Sequence, residues 1–519
     1  MKLNFEEYKD KVRACWIGKN IGGTLGAPYE GVRAKLNVTD FKTQKGEALP
    51  NDDLDLQLIW LHAMEKEGPK HLNAEVLADY WQSFMVAFFG EYAIAKRNME
   101  LGITPPLSGE TYNNSFLKHS NGAWIRTEVW ACLFPCLPDL AVRYAIEDAK
   151  VDHGTGEGTY AAMIIAAIES AAFYVSDVRK LIEIGLAKVP ADSRSARTVR
   201  LLLDCYDKNM SPDDARDAIL AENSDIGEGW FSAPSNIGYA LLGVLYGKGD
   251  FKKSMLLAVN CGDDTDCTAA TVGSILGIMK GTGGLPIDWV EHVGDGIVTC
   301  CINQGTSFPR VRTCTQLTEK VVTLAPAVTV QMRAHLRREL VFTDGATEVD
   351  SSDVEYFARP YGQGEESAEN TVSVLSLKRP NTLVKNCGAT YALVSVDGGP
   401  YIKPGEEKKL YVSFQNRFKA LGNQPHNMEV SLILPDGWSA NMNNFYVYVH
   451  NWQSRIENSC HSEPCEIIIK APESVPAKSR IMLVINEEGR CRTEAVAITL
   501  INRPCEKMHV FDERFANYG

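Results

Sequence analysis

Gly262-Asp263-Asp264-Thr265-Asp266-Cys267-Thr268 sets three carboxylates within four residues. It runs straight into Ala269-Ala270-Thr271-Val272-Gly273-Ser274-Ile275-Leu276-Gly277, a stretch of small residues that reads as a tightly packing helix. A cap needs one Asp, not three. Crowded carboxylates repel one another unless a cation neutralises them. Asp, Asn and Thr are oxygen donors of the kind that suit Mg²⁺, Ca²⁺ or Mn²⁺.

A second acidic knot lies about 200 residues upstream, at Pro50-Asn51-Asp52-Asp53-Leu54-Asp55. It also opens an apolar helical stretch through Leu54, Leu58 and Leu61. Here the plain reading is strong: Asn51 is an N-cap, and Asp in a first helical turn complements the helix dipole. Two such knots nevertheless suggest two ends of one metal site. A third segment, Gly18-Lys19-Asn20-Ile21-Gly22-Gly23-Thr24-Leu25-Gly26-Ala27-Pro28-Tyr29-Glu30, places Gly18, Gly22 and Gly26 on one helical stripe that permits close helix contact. It lacks the Lys-Ser/Thr of a phosphate loop, and no strand precedes it as a dinucleotide-binding turn requires. Glu30 falls just past Pro28, outside the helix and free to point into a site.

Working outward, residues 1–325 read as an all-α domain. Amphipathic stretches recur at 55–66, 74–89, 140–150, 160–174, 195–206, 212–222 and 268–280. The texture then changes. Short Val-, Tyr-, Ile- and Thr-rich runs appear at 371–377, 389–396, 409–416, 428–434, 445–451, 466–469, 480–486 and 494–501. Turn signals such as Asp397-Gly398-Gly399-Pro400 separate them. That spacing predicts an antiparallel, Ig-like β-sandwich over 371–519, with 326–370 as the connection. The aromatics Phe445, Tyr446, Tyr448 and Trp452 are assigned to the sandwich core, with stacking on sugar rings as the alternative.

At 519 residues the chain accommodates two or three domains, and 45% hydrophobic with 23% charged residues is ordinary for a globular protein. A net charge of −13 disfavours binding to nucleic acid through broad phosphate neutralisation. No apolar run reaches membrane-spanning length, and the residues after Met1 lack the apolar core of a signal peptide. A cytoplasmic protein with no membrane partner is the expectation, with oligomerisation left open. The 14 cysteines are scattered without a Cys-x-x-Cys pair and are expected to be reduced thiols.

Taken together, the three segments resemble the ADP-ribosylglycohydrolase family, which includes the dinitrogenase reductase-activating glycohydrolases. The family's Gly-Ala-Pro-x-Glu ending of the first helix matches Gly26–Glu30. Its Thr-Asp-Asp-Thr motif corresponds to Asn51-Asp52-Asp53-Leu54, and its late Asp-rich motif to Asp263–Cys267. Tyr246–Phe251, Gly284–Trp289 and Ile146–Ala162 are similar as well, so the resemblance spans roughly residues 10–300. It implies an all-α fold with two Mg²⁺ ions, Mn²⁺ being an alternative, held by Asn51, Asp52 and Asp53 on one side and Asp264, Asp266 and Cys267 on the other. It further implies metal-oriented attack of water at the anomeric carbon of a small or protein-linked ribosyl substrate, cleaving an N- or O-glycosidic bond. Glu30, Asp53 and Asp264 would be catalytic. His153, Glu157, Asn121 and Asn236 would contact substrate.

The chain departs from the motif at three places. Asn51 stands for a Thr and keeps an oxygen donor; Leu54 stands for a Thr and donates nothing. Cys267 stands for a Thr ligand, and a thiol suits Mg²⁺ poorly; burial as a neutral core thiol is the expected fate. Two other readings follow: hydrolysis of another small glycoside or nucleoside, and a non-catalytic binder of ADP-ribose or sugar. The intact Asp52, Asp53, Asp264 and Asp266 favour an enzyme.

Overall fold

Helices Phe5–Gly26 and Thr265–Lys280 lie against each other with almost no side-chain spacer. A Cβ added at Gly18 would sit 2.2 Å from the carbonyl oxygen of Gly273, and one at Gly26 would sit 2.2 Å from that of Thr265. Gly273 and Gly277 face Gly18 and Ala14 in the same manner. The glycine stripe therefore sets the interaxial distance, because any methyl there would overlap backbone. The consequence is positional. The end of the first helix, where Glu30 follows, is fixed beside the start of the later helix, where Asp264 and Asp266 sit.

The structure is a computed structural model describing residues 1–86, 90–110, 117–226, 231–303, 308, 311–333, 338–362, 368–417, 425–449 and 462–502, with no side chains considered for 368–371. It divides into two compact units. The first contains 1–87, 116–149 and 156–361 and is helical. Helix Asp52–Glu67 is capped by Asn51, as its sequence predicts. Other expected helices form over Pro138–Ala149, Glu157–Ala172, Arg194–Asp207 and Pro212–Glu222. Trp16, Trp60, Trp81, Trp124 and Trp130 are fully buried and supply much of the apolar core. Among its described residues the strand ladder is short and parallel, β1 (Lys2–Asn4) with β2 (Val341–Thr343). In the stretch read as a connection, the described residues hold part of helix Cys314–Met332, strand β2 and helix Ser351–Phe357.

The second unit gathers the described residues of 362–519 together with those of 88–115 and 150–155. One sheet has the order β3 (Thr382–Asn386), β4 (Thr390–Val396), β5 (Glu407–Asn416), β9 (Cys465–Lys470), β7 (Ser439–Ala440). The other has the order β11 (Thr493–Ile501), β10 (Lys478–Glu487), β6 (His426–Ile433), β8 (Asn444–Val449). All pairings within both sheets are antiparallel. Inward residues alternate along the strands, as in Met428, Val430 and Leu432 or Ile481, Leu483 and Ile485, and the two sheets share one core. This is the sandwich that the sequence predicts. Ile103 and Leu107 also enter that core, so a segment early in the chain completes it.

Two local expectations are corrected. Thr371–Leu377 alternates like a strand yet belongs to helix Ala368–Lys378. Val372, Ser373, Ser376 and Leu377 are its buried positions, a helical rather than a two-residue period. On β8, Val447 and Val449 fill the core while Tyr446 and Tyr448 are exposed, because the register turns both tyrosines outward. Phe445 packs against the core, and Trp452 lies outside the described residues. Among the described residues no helix is long and apolar enough to cross a membrane, and the twelve cysteines described are free thiols.

Candidate metal centre

The later acidic knot is shaped by its backbone. Gly262 takes φ +76°, and a Cβ there would meet the carbonyl oxygens of Ala34 and Val32 at 2.2 and 2.6 Å. Asp263 follows at φ +67°, a left-handed conformation that Asp tolerates. Asp263 N donates to Val32 O and Gly31 N donates to Asp263 O, both at 2.8 Å. These bonds tie the turn to the residues just after Glu30. The Asp263 carboxylate accepts from Asn236 Nδ2 at 3.0 Å and from Phe231 N at 3.3 Å.

Asp264 occupies the N-cap position of helix Thr265–Lys280, yet its side chain makes no capping bond. Its Oδ2 instead accepts from Asn121 Nδ2 at 2.5 Å. Its Oδ1 is buried and has no partner, and the same holds for Asp266 Oδ1. Oxygens of Asp264 and Asp266 and the sulfur of Cys267 lie within 4.8 Å of one another. Orphaned carboxylate oxygens inside a protein are costly. A knot that gathers carboxylate oxygens and leaves two of them without partners is one that a cation would satisfy.

The first knot meets this cluster directly. Cys267 Sγ donates to Asp53 Oδ1 at 3.4 Å. Expected to pack as a core thiol, Cys267 is buried but sits among the acids, within reach of Asp53, Asp264 and Asp266. Asn51 Oδ1 accepts the capping bond from Asp53 N at 2.9 Å, which leaves the amide oxygen a second lone pair. Asp52 is half-buried at the same helix start.

Electrostatics follow the geometry. Burial pushes the Asp264 carboxyl well above the usual carboxylate range, and Asp266 and Glu30 push it further. Burial likewise raises the Cys267 thiol, with Asp264, Asp266 and Asp53 adding to the effect. Glu30, exposed at the end of the first helix, is pushed up to about 9, first by the charge of Asp266, then by desolvation, Asp52 and Asp53. The five acids therefore act on one another as neighbours. That mutual repulsion is the counterpart of a cation's attraction.

Sequence reasoning missed the support beneath the site. Lys19, fully buried, donates to Asp53 Oδ2 at 3.2 Å, to Glu128 Oε1 at 2.7 Å and to Ile125 O at 2.7 Å. Gln57 Nε2 and Ser274 Oγ complete Glu128 at 2.9 and 3.0 Å. The only signal was a lysine on the glycine-rich helix, and a helical lysine is usually a solvated one.

The expected substrate contacts fall in different places. Asn121 and Asn236 are buried and committed to the aspartates; Asn236 Oδ1 also accepts from Asp264 N at 3.4 Å. Trp124 Nε1 donates to Asn121 Oδ1 at 2.9 Å and so fixes its amide. Both oxygens of Glu157 are taken up by the start of helix Arg194–Asp207: Oε1 accepts from Arg194 N at 3.0 Å, and Oε2 from Ser195 N and Oγ at 2.9 and 2.8 Å. His153 belongs to the second unit, where it is buried with Nδ1 2.8 Å from Asp152 and Nε2 3.8 Å from Glu91.

A glycine-spaced helix pair that joins two aspartate-rich helix starts defines a class of all-α protein built around an acidic centre. The family model for ADP-ribosylglycohydrolases matches residues 4–325, and the chain belongs to that family. Membership supports glycohydrolase activity. An ADP-ribosylarginine hydrolase Tri1 of Pseudomonas putida (strain GB-1) is 41% identical over 54 residues, which is 10% of this chain and 15% of that protein. An uncharacterized protein of Archaeoglobus fulgidus is 26% identical over 303 residues, 55% of this chain and 92% of its own length. Among solved structures, one described as an ADP-ribosylglycohydrolase-related protein complex aligns at 20% identity and a TM-score of 0.41, covering 62% of this chain and 98% of that one.

Proposed function

We propose that this chain is a divalent-cation-dependent glycohydrolase that cleaves the bond from the ribose anomeric carbon of an ADP-ribosylated substrate to a nitrogen or oxygen. The observation that carries the reading is the meeting of the two acidic knots, with Asp53 against Cys267 and two buried aspartate oxygens left without partners. The donors Asn51, Asp52, Asp53, Asp264 and Asp266 are hard oxygens and fit Mg²⁺, or Mn²⁺, in one or two positions. When bound, the cation supplies Lewis-acid polarisation and a more acidic water.

The chain's own residues do the rest. Lys19 donates to Asp53 and fixes the orientation of its carboxyl group. Asn121 and Asn236 orient Asp264 and Asp263 and are positioning residues in this reading. Glu30 is the proton acceptor for the attacking water once the charge of Asp266, Asp52 and Asp53 is neutralised. The arginine-linked substrate of the Pseudomonas relative makes ADP-ribosyl-arginine the first compound to try.

The test is release of ADP-ribose from ADP-ribosyl-arginine and ADP-ribosyl-serine with Mg²⁺ present. Loss of the activity on chelation and in Asp264→Asn supports the proposal. Hydrolysis of nitrophenyl glycosides with no release of ADP-ribose moves the enzyme to another glycoside class. Absence of turnover on the whole panel leaves a binder.

A further inference from the structure

A second group of ligating side chains lies beside the acidic centre but does not belong to it. Asp55 follows Asp53 by two residues, and two residues are about 200° around a helix, so the two carboxylates leave helix Asp52–Glu67 in different directions. Asp55 is fully buried. Its Oδ2 accepts from the backbone N–H of Cys300 at 2.7 Å and from that of Cys301. These bonds hold the vicinal cysteines against the helix start. Its Oδ1 is buried with no partner.

The two sulfurs complete the arrangement. An Asp55 oxygen, Cys300 Sγ and Cys301 Sγ lie within 4.8 Å of one another. The sulfurs are 3.6 Å apart, far beyond the roughly 2.05 Å of a disulfide. Two Zn–S bonds of about 2.3 Å at a tetrahedral angle span about 3.8 Å, so the observed separation is near that of two thiolates on one ion. Cys301 is buried and Cys300 is exposed, which gives an ion a route in and solvent access to a fourth position.

We propose that Asp55, Cys300 and Cys301 form a second cation site, selective for a thiophilic divalent ion of the zinc class. Two sulfurs and one carboxylate are a donor set that prefers zinc or cobalt to magnesium, in contrast to the oxygen-rich centre formed by the two knots. Binding releases the thiol protons. It also clamps the segment carrying Cys300 and Cys301 to the start of helix Asp52–Glu67.

The full-length protein, stripped with chelator and kept reduced, is titrated with Co²⁺. One equivalent should produce thiolate-to-cobalt charge-transfer absorption that Zn²⁺ displaces and a large excess of Mg²⁺ does not. Cys300→Ser and Cys301→Ser should each remove most of that absorption, while Cys267→Ser retains it. Because Cys301 is buried, a measurement on the unaltered chain stands beside the variants: Zn²⁺ should slow alkylation of Cys300 at least tenfold, read by peptide mass mapping. The proposal is overturned by absence of the absorption in the unaltered protein, by its survival in both serine variants, by its loss in Cys267→Ser, or by alkylation of Cys300 that ignores Zn²⁺.

Discussion

The thiol of Cys267 donates to Oδ1 of Asp53 across 3.4 Å, joining two segments 214 residues apart in sequence. The contact puts a soft donor inside a set of hard ones. A thiol in this position favours Mn²⁺ over Mg²⁺ relative to a hydroxyl. Cys267→Thr is expected to raise affinity for Mg²⁺ against Mn²⁺ by about tenfold, the order of effect seen for changes next to a metal ligand. Calorimetric titration of both ions into both proteins measures the ratio; an unchanged ratio would show that the sulfur acts only as a hydrogen-bond donor.

Asp264 combines a buried, unpartnered oxygen with like-charged neighbours, so it weakens the cation-free fold while serving the site. Asp264→Asn should lower turnover by at least about a hundredfold, a loss on the scale of a positioned acid–base or electrostatic group. Its melting temperature without cation should equal or exceed that of the parent, and the rise produced by Mg²⁺ should vanish. Thermal unfolding with and without Mg²⁺ checks both parts; a large loss of stability would assign Asp264 a structural role instead.

Lys19 is the buried counter-charge of Asp53 and Glu128. Lys19→Met leaves two carboxylates uncompensated in the interior. Breaking a buried pair in this way costs about 3–5 kcal/mol. Urea unfolding followed by circular dichroism should show a loss of that size, and a change below about 1 kcal/mol would refute the assigned role.

Glu169 gives a pH dependence independent of any cation. Burial holds its carboxyl well above the usual range, with the charge of Glu128 adding to the effect, and its Oε1 has no partner. Unfolded, it titrates at about 4.3. As pH rises past that value the unfolded chain releases a proton that the folded chain keeps, so stability falls with rising pH. Glu169→Gln should flatten the stability profile between about pH 5 and pH 8 and stabilise the protein most at the alkaline end. Denaturant midpoints across that range decide it, and parallel profiles would exclude Glu169 as the source.

Gly18→Ala tests the helix contact that aligns the two knots. The added methyl would meet the Gly273 carbonyl, which cannot rotate away. A loss of about 3 kcal/mol is expected, at the upper end for overpacking. Gly283→Ala, with open space around it, should stay within about 0.5 kcal/mol. Equal effects from the two substitutions would remove the steric argument.

Much of this protein was determined by sequence alone. The small-residue stripe through Gly18, Gly22 and Gly26 encodes a close helix contact because its content is local: spacing on a helix and the absence of Cβ. Asn51 reads as a cap for the same reason, and the alternating strands of the sandwich follow from a two-residue period. Tertiary structure decided the rest. Whether Thr371–Leu377 became strand or helix depended on which surfaces were there to cover it. The buried role of Lys19 depended on Asp53 and Glu128 arriving from 34 and 109 residues away. The place of Cys267 among the acids depended on the facing helix start, and the recruitment of Ile103 and Leu107 into the sandwich core on sheets formed hundreds of residues later. Burial and pairing are properties of what surrounds a side chain, and a sequence names the neighbours along the chain but not those across the fold.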